Sequence, residues 1–313
     1  MLESSKIDPA VYAALMEEIK RLNTDYRRLR KSDTYKIGML IHTSLDCVRK
    51  LRLSDLRRQY SRWINGARSA RFPKTARPSA VKRDHPNYFS SERIAVYTAV
   101  FGNYDTLLEP YCTPDNIDYY LVTDQSPELS QSAWKRMDIS GFEQKLRGLS
   151  NTEKNRYFKM HPHELFPNYR YSIYIDGNIQ VIADLTEYIY GLDACGLAAH
   201  MHSARDCVYE EGDAVVFAKK ETRENMDSHL AYLRERQFPE HYGMLECNVL
   251  VREHHARCAK LMEEWWQEFM NHCRRDQISL PYVLRCNGIQ IEQVGILGDN
   301  IFENPSFRLV THN

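Results

Sequence analysis

The sequence predicts an α/β fold built on a mixed, mainly parallel sheet with helices on both faces. Segments typical of strands and of helices alternate along residues 92–313, which is the pattern of parallel strands joined by helices. The segment at residues 171–175 is aromatic and β-branched and carries no charge and no proline, as is typical of a buried strand. The predicted organisation is a helical region at residues 1–65, a linker at residues 66–91 and the α/β domain at residues 92–313.

Local patterns predict the strands and helices of this domain. Strands are expected at residues 94–100, 118–124, 171–175, 196–200, 244–251 and 289–294. Helices are expected at residues 150–165, 184–191, 209–237, 254–273 and 276–284. The first helix has the clearest start, because Ser150 and Glu153 have the spacing of a capping box.

The region at residues 1–65 is predicted to be helical and basic. Apolar residues recur every three or four positions within residues 8–31 and 44–65, and Arg and Lys occupy the other face. Residues 1–92 carry 20 Lys and Arg against 10 Asp and Glu, so this region is expected to differ in function from the acidic remainder. Its apolar stripe is interpreted as packing on the α/β domain or as a helix pair in a homo-oligomer. Its basic face is interpreted as a contact with an acidic membrane surface, and a partner-protein contact through residues 1–65 is a further alternative. Nucleic-acid binding is not expected, because no recognised reading motif accompanies the charge.

Cytoplasmic localisation is expected, with peripheral binding at the inner membrane face as an alternative. No apolar run approaches the ~20 residues that span a bilayer, and no signal-peptide pattern opens the sequence. The eight cysteines form no C-x-x-C pair, which favours free thiols in a reducing compartment over a zinc site or a disulfide framework.

The stretch at residues 169–181 is predicted to carry the active site. Residues 171–175 are aromatic and β-branched, and the strand they predict stops at Asp176, Gly177 and Asn178. An acidic side chain therefore stands at the carboxyl end of a core strand, where open α/β sheets bind ligands. Asp176 and Asn178 place two oxygen-bearing side chains within reach of one cation or one ribose. The plain alternative is a strand that ends in a turn, since Asp-Gly-Asn is common turn chemistry.

Several enzyme classes lack their usual motifs in this sequence. There is no Gly-rich P-loop, no G-x-G-x-x-G and no G-x-S-x-G, which argues against ATPases, dinucleotide-binding enzymes and α/β-hydrolases. The remaining candidates are polar side chains near predicted strand ends, together with two histidines: Asp105, Asp124, Asp176, Asn178, Asn248, His200 and His202.

Six segments extend this set in a fixed order. They are residues 97–105, 159–166, 174–178, 202–211, 248–254 and 275–282. In this order they resemble a glycosyltransferase-like domain family, first described as a domain of unknown function and known from plant mucilage-related proteins and bacterial polysaccharide loci. The resemblance covers about residues 94–313 and leaves out the helical region.

The resemblance implies a GT-A-type, Rossmann-like glycosyltransferase of polysaccharide biosynthesis. It would transfer a sugar from a nucleotide sugar, with a UDP-type donor favoured, to a glycan or lipid-linked acceptor. A Mn²⁺ or Mg²⁺ ion would be held by Asp176, Asn178 and His312. Asn178 stands where the family pattern has a second carboxylate, and its neutral amide is a weaker ligand for such an ion.

The resemblance also implies roles for further residues. The nucleotide would be bound by Thr98, Ala99, Asp124, Lys154, Arg156 and Asn248, and the catalytic set would be Asp276, Gln277 and Glu211. Asp276 would hydrogen-bond the donor hydroxyls or act as a base toward the acceptor. The basic residues Lys154, Arg156 and Lys159 equally fit a solvated helix face.

Two other functions remain open from the sequence. One is a non-catalytic, glycan-binding or scaffolding member of the fold, suggested by Asn178. The other is a metal-dependent hydrolase with His200, His202 and Asp176 as ligands.

Overall fold

The computed structural model describes residues 92–313, except residues 103, 104, 299, 303 and 311–313, together with individual positions between residues 14 and 42. The chain divides into two compact units, Met1–Phe72 and Pro73–Asn313. The predicted helix at residues 44–65 and the predicted linker at residues 66–91 lie outside the described residues.

The first unit is helical at its described positions on both sides of Ser32. The described positions between 14 and 29 fall within the predicted helix, whereas the helical positions between 34 and 42 were not predicted. Ser32 lies in a bend between these two sets of positions, and its side chain accepts a hydrogen bond from the amide of Tyr35, as an N-cap residue does. The apolar stripe is about half exposed at its described positions, which are Leu15, Leu22, Tyr26 and Leu29.

Nine strands are found in the described part of the second unit. They are β1 (Ile94–Val100), β2 (Ile117–Thr123), β3 (Trp134–Arg136), β4 (Tyr171–Ile175), β5 (Ile179–Val181), β6 (Leu197–Met201), β7 (Leu245–Glu253), β8 (Gly295–Ile296) and β9 (Phe307–Leu309). Seven of them form one sheet in the order β3-β2-β1-β4-β7-β6-β8, and β5 pairs with β9 in a separate antiparallel sheet. In the large sheet only β7 runs antiparallel to its neighbours, which confirms the predicted mixed, mainly parallel sheet.

Ten helical segments accompany these strands in the described part of the second unit. The α-helices are α1 (Glu143–Leu146), α2 (Asn151–Met160), α3 (Pro162–Leu165), α4 (Val208–Phe217), α5 (Arg223–Glu235), α6 (Ala256–Asn271) and α7 (Asp276–Cys286). Short 3-10 helices occur at Ser140–Phe142, Thr186–Gly191 and Ile291–Gln293. Among the described residues, none of the helices combines the length and the apolar character needed to cross a bilayer.

The large sheet is buried on both faces. Alternate residues of β1 enter two separate apolar clusters, because successive side chains of a strand point to opposite faces. Helices α2, α6 and α7 cover one face. The 3-10 helix Thr186–Gly191 and the small β5–β9 sheet cover the other, so helices lie on both faces as predicted. A third cluster joins α4, α5 and α7.

The structure corrects the sequence-based prediction at three places. The helix expected at residues 209–237 is two helices, α4 and α5, which are separated at residues 218–222, where Lys219 has a φ of 56°. The helix that begins after Ser150 ends at Met160, not near residue 165, because Pro162 has no amide hydrogen to continue it and instead starts α3. The strand predicted at residues 289–294 is wrong. The Gln293 amide donates to the Gln290 carbonyl oxygen over 2.9 Å, which closes a 3-10 turn, and the strand β8 follows that turn.

Candidate active site

A cavity of about 740 Å³ lies at the carboxyl ends of β1 and β4. Its walls come from residues 99–102 at the end of β1, Asp105, the side of α2 that carries Arg156, the turn after β4, Lys220 and Glu221, the start of β7 and residues 274–277. The start of β7 reaches this edge because β7 is antiparallel to β4, and the Asp176 amide donates to the Asn248 carbonyl oxygen over 2.9 Å. The fold thus brings distant parts of the chain to one cavity.

Asp176 lines this cavity at the end of β4 and has 30% of its side chain exposed. Its Oδ1 atom accepts a hydrogen bond from the Tyr174 hydroxyl over 2.9 Å and lies 3.6 Å from Lys159 Nζ. Burial raises the pKa of Tyr174 well above its ordinary value, and the negative Asp176 raises it further. The tyrosine therefore stays protonated and continues to donate to the carboxylate. At Gly177 a Cβ atom would lie 2.9 Å from Asp105 Oδ2, so glycine allows this second carboxylate to approach the turn.

Asp276 is the most strongly paired carboxylate of the cavity. Its side chain is 5% exposed at the start of α7, and its Oδ2 atom accepts a hydrogen bond over 2.7 Å from Lys159 Nζ. Arg156 Nε lies 2.9 Å from the same oxygen, as an ion pair without the alignment of a hydrogen bond. Burial alone would raise the pKa of Asp276, but the charges of Arg156, Lys159 and Arg275 outweigh it and hold the pKa well below its ordinary value. Asp276 is thus a buried, ionised carboxylate.

This lowered pKa makes folding sensitive to acid. Because the folded state favours the ionised form of Asp276, its contribution to stability is present above the unfolded pKa near 4 and is lost as the pH falls through the folded pKa. We expect the difference in the free energy of unfolding between the wild type and Asp276→Asn to stay constant from pH 7 to about 5 and to shrink as the pH falls further, through the unfolded pKa near 4, toward 3. Urea unfolding at a series of pH values measures it. A difference that does not depend on pH would contradict the ionised state of Asp276.

A second hydrogen-bonded group lies on the β7 side of the cavity. Glu246 accepts hydrogen bonds from the amide of Ser203 over 2.9 Å and from Gln277 Nε2 over 3.1 Å. Asn248 Nδ2 is 3.5 Å from the same carboxylate, while Asn248 Oδ1 is buried without a hydrogen-bond partner. The cavity therefore presents a free acceptor beside a carboxylate whose donors are neutral groups.

The structure brings six of the predicted site residues together and leaves the others apart. Those that line the cavity are Ala99, Arg156, Asp176, Asn248, Asp276 and Gln277. Thr98, Asp124, Lys154, Asn178 and Glu211 are not in the lining, and His312 lies outside the described residues. The roles predicted for all twelve residues stay predictions.

The residues outside the lining have other contacts in several cases. Asp124 Oδ1 accepts the Gly102 amide over 3.3 Å at the rim, and Thr98 is buried within β1. Glu211 is buried and pairs with Arg205. Asn178 Nδ2 donates to the Val310 carbonyl oxygen over 3.1 Å, so its amide joins the chain that follows β9.

The two histidines of the hydrolase alternative lie apart from Asp176. Neither His200 nor His202 is in the cavity lining. His200 Nε2 is 2.9 Å from Asn304 Nδ2, and His202 Nδ1 accepts the Arg205 amide over 3.0 Å. Both rings therefore take part in local hydrogen bonds.

The described residues do not fit the metal site that the resemblance implied. Asp176 Oδ1 already contacts the Tyr174 hydroxyl and the Lys159 ammonium group. The Asn178 amide is held by Val310. In the described part of the chain, no group of three or more His, Cys, Asp or Glu residues is arranged to hold a metal ion. An ammonium group, rather than a set of oxygens, faces Asp176.

The sequence predicted no binding role for Lys159 or Glu246, two charged residues of this cavity. The solvated helix face considered for Lys159 is wrong, because its side chain is 1% exposed. Lys159 has a usable signal, because it follows Arg156 by three positions and therefore lies on the same face of α2. Glu246 has no comparable signal. It is one polar residue at the start of an apolar strand, and only the antiparallel placement of β7 brings it to the cavity.

Comparison with known families gives this cavity its context. The family model described as TOD1/MUCI70, glycosyltransferase-like domain, matches residues 70–312. The chain belongs to this family. The match includes all the residues that line the cavity, and it confirms the family resemblance inferred from the ordered segments. The TOD1/MUCI70 domain is therefore glycosyltransferase-like and has the mixed α/β architecture described above.

Solved structures that resemble the domain are distant. They include apo WbbM, a bifunctional glycosyltransferase, with 15% identity and a TM-score of 0.42 over 71% of this chain and 41% of that one. The galactosyltransferase LgtC with donor and acceptor sugar analogues has 13% identity and a TM-score of 0.36, over 61% and 70% of the two chains. The apo form of GlyE from Streptococcus pneumoniae TIGR4 has the same identity and score over 67% and 46%. This chain thus spans about two fifths of WbbM. No curated protein matches the sequence.

Proposed function

We propose that this TOD1/MUCI70 domain is a glycosyltransferase that transfers a sugar from a nucleotide sugar to a hydroxyl group of a glycan or lipid-linked acceptor. The observation that carries the proposal is the cavity of about 740 Å³ with Arg156, Lys159 and Arg275 around Asp276. Clefts of this size suit small ligands, and guanidinium groups are the usual partners of phosphates. The family match supports the reaction class.

The reaction needs stabilisation of negative charge. The bond between the anomeric carbon and the diphosphate oxygen breaks, and its electron pair leaves with the diphosphate. The acceptor hydroxyl oxygen forms the new bond and releases its proton to a cavity carboxylate or to the departing diphosphate. Arg156 and Arg275 line the cavity and would stabilise the charge that develops on the leaving group.

Asp276 suits one of its two predicted roles better than the other. Its low pKa makes it a poor proton acceptor, because it stays ionised while three basic residues surround it. Its Oδ1 atom accepts the Gln277 amide over 3.2 Å, and its Oδ2 atom holds the cations. Asp276 would therefore position Arg156 and Lys159 and contact donor hydroxyls rather than act as the base.

Several predicted features of the proposal go beyond this cavity. A UDP-type donor, a role in polysaccharide biosynthesis and a cytoplasmic location come from the sequence and the resemblance. The Mn²⁺ or Mg²⁺ dependence that the resemblance implies stays a prediction, which the screen with EDTA and with Mn²⁺ tests. The proposed role of residues 1–65 is contact with a partner protein, the membrane surface or a second copy of the chain.

A thermal-shift screen of nucleoside diphosphates, each with EDTA and with Mn²⁺, tests the proposed function. At 100 times its dissociation constant, a bound ligand should stabilise the fold by about 2.7 kcal/mol. We expect UDP to raise the melting temperature and Arg156→Met to reduce this shift, while the exposed control Arg257→Met retains it. No shift with any nucleoside diphosphate in either condition would contradict the proposal.

The same protein then separates an enzyme from a non-catalytic binder. A glycosyltransferase is expected to hydrolyse the nucleotide sugar slowly when no acceptor is present. Nucleotide release measured over hours, compared with Arg156→Met, provides the readout. Tight binding with no hydrolysis and no transfer to any acceptor would favour the glycan-binding or scaffolding alternative.

A further inference from the structure

A buried ammonium group lies between the two carboxylates that sequence reasoning had treated as metal ligand and catalytic residue. Lys159 Nζ is 2.7 Å from Asp276 Oδ2 and 3.6 Å from Asp176 Oδ1, and only 1% of the Lys159 side chain is exposed. It also lies 5.0 Å from the centre of the Tyr174 ring. A charge this deeply buried needs partners, and both carboxylates supply them.

This ammonium group disfavours a divalent ion at the same place. A metal bound to Asp176 Oδ1 would stand about 2 to 2.6 Å from that oxygen. It would then lie within a few ångströms of Lys159 Nζ, where two like charges in a low-dielectric interior repel strongly. The positive charge that a metal brings to Asp176 is thus already present as part of the chain.

The availability of cationic donors for a ligand depends on which charges of the cavity pair with each other, not on the total charge. The cavity lining contains five basic and five acidic residues, so its net charge alone does not select an anion. However, Glu246 accepts its hydrogen bonds from neutral donors, and Lys159 satisfies both Asp176 and Asp276.

Two guanidinium groups remain directed at the cavity. Arg156 contacts Asp276 through Nε and donates to Asn155 Oδ1 through Nη1. Its side chain is 20% exposed, and it belongs to the cavity lining. Arg275 also lines the cavity, and its Nε atom is buried without a hydrogen-bond partner. A guanidinium group offers several donors in a fork that matches phosphate oxygens, so both side chains can receive a diphosphate.

We propose that Arg156 and Arg275, with Lys159 as the buried countercharge, take the place of the divalent metal, so that a nucleoside diphosphate binds this cavity without Mn²⁺ or Mg²⁺. This inference rests on the proposed function, because it concerns the diphosphate of the same donor. It assigns Lys159 a positioning role, since its ammonium group pairs with both carboxylates and shares the charge of Asp276 with Arg156.

Calorimetric titration of the full chain with UDP and with inorganic pyrophosphate tests the inference without any mutation. We expect dissociation constants that agree within about threefold between EDTA and added Mn²⁺. Pyrophosphate is included because it carries the diphosphate charge without base or sugar. Binding that appears only with Mn²⁺ would overturn the inference while leaving the proposed function intact. No binding of either probe in both conditions would overturn the inference and, together with a negative nucleotide screen, the proposed function.

Two substitutions assign the contact to particular side chains. Arg156→Met and Arg275→Met each remove charge-assisted hydrogen bonds. Each is expected to weaken the binding of both probes in EDTA by about tenfold to hundredfold. Lys260→Met is the matched control, because Lys260 is exposed on α6 and pairs only with Glu264 among the ion pairs of the described residues. Affinity in EDTA that is unchanged in both arginine variants would overturn the assignment.

Discussion

Lys159→Met is expected to lower the free energy of unfolding by about 3–5 kcal/mol, because it breaks a buried ion pair from one side. The substitution removes the ion-pair partner that lies nearest to Asp276, a carboxylate with 5% of its side chain exposed. It also removes the only ion-pair partner that Asp176 has among the described residues. Arg156 Nε remains 2.9 Å from Asp276 Oδ2 and limits the loss of stability. Urea unfolding followed by tryptophan fluorescence measures the change.

Two further variants decide whether the pair is responsible. Lys260→Met replaces a lysine whose side chain is 69% exposed and should change the free energy of unfolding by less than about 0.5 kcal/mol. The double variant Lys159→Met with Asp276→Asn should lose less free energy of unfolding than the two single variants lose together. The reason is that the double variant removes both charges of this pair, so neither is left without the other. Strict additivity of the two changes would show that the two side chains do not interact.

Arg252→Met is the second large effect that we expect, a loss of about 3 kcal/mol. Arg252 is fully buried in β7, where it donates to the carbonyl oxygen of Lys159 and, over 2.7 Å, to the Tyr97 hydroxyl. Tyr97 in turn donates to the carbonyl oxygen of Phe158 over 3.0 Å. These bonds satisfy the last turn of α2, where a cation also interacts favourably with the helix dipole. Burial raises the pKa of Tyr97 to about 12, although Arg252 opposes this rise, so the hydroxyl remains a donor.

An effect on ligand binding would distinguish Arg252 from an ordinary core residue. Since α2 carries Arg156 and Lys159, Arg252→Met should also weaken UDP binding, although Arg252 does not line the cavity. Chemical unfolding and UDP titration on one preparation test both effects. The control Arg257→Met replaces an exposed arginine at the start of α6. Wild-type stability of Arg252→Met would mean that the packing of methionine compensates for the lost hydrogen bonds.

The core strands were predictable because their sequence patterns are local. β1 and β4 have the predicted bounds, since each is a continuous β-branched or aromatic run that is buried on both faces. The capping box of α2 was likewise readable from Ser150 and Glu153, and both of its hydrogen bonds are present. The short strands β3, β5 and β9 were missed, because three residues are too few to show an alternating pattern.

The candidate site likewise contains residues that the sequence predicted and contacts that it did not. The position of Asp176 follows from the end of an apolar run, and Asp276 and Gln277 follow from a motif of the family. The ion pair between Lys159 and Asp276 joins residues 117 positions apart, and no local pattern encodes it. Asn178 illustrates the converse, because its motif position suggests a metal ligand while its amide donates to Val310 near the end of the chain.

The family, the α/β class and the acidic end of the central strand are thus properties of the amino-acid order, because short-range periodicity and turn chemistry specify them. The tertiary structure alone decided which charges meet. Burial of Lys159 beneath the cavity became favourable only when α2, β4 and α7 came together and placed two carboxylates around its ammonium group. The cost of burying a charge depends on partners that folding brings from distant parts of the chain, and for that reason no linear pattern reveals it.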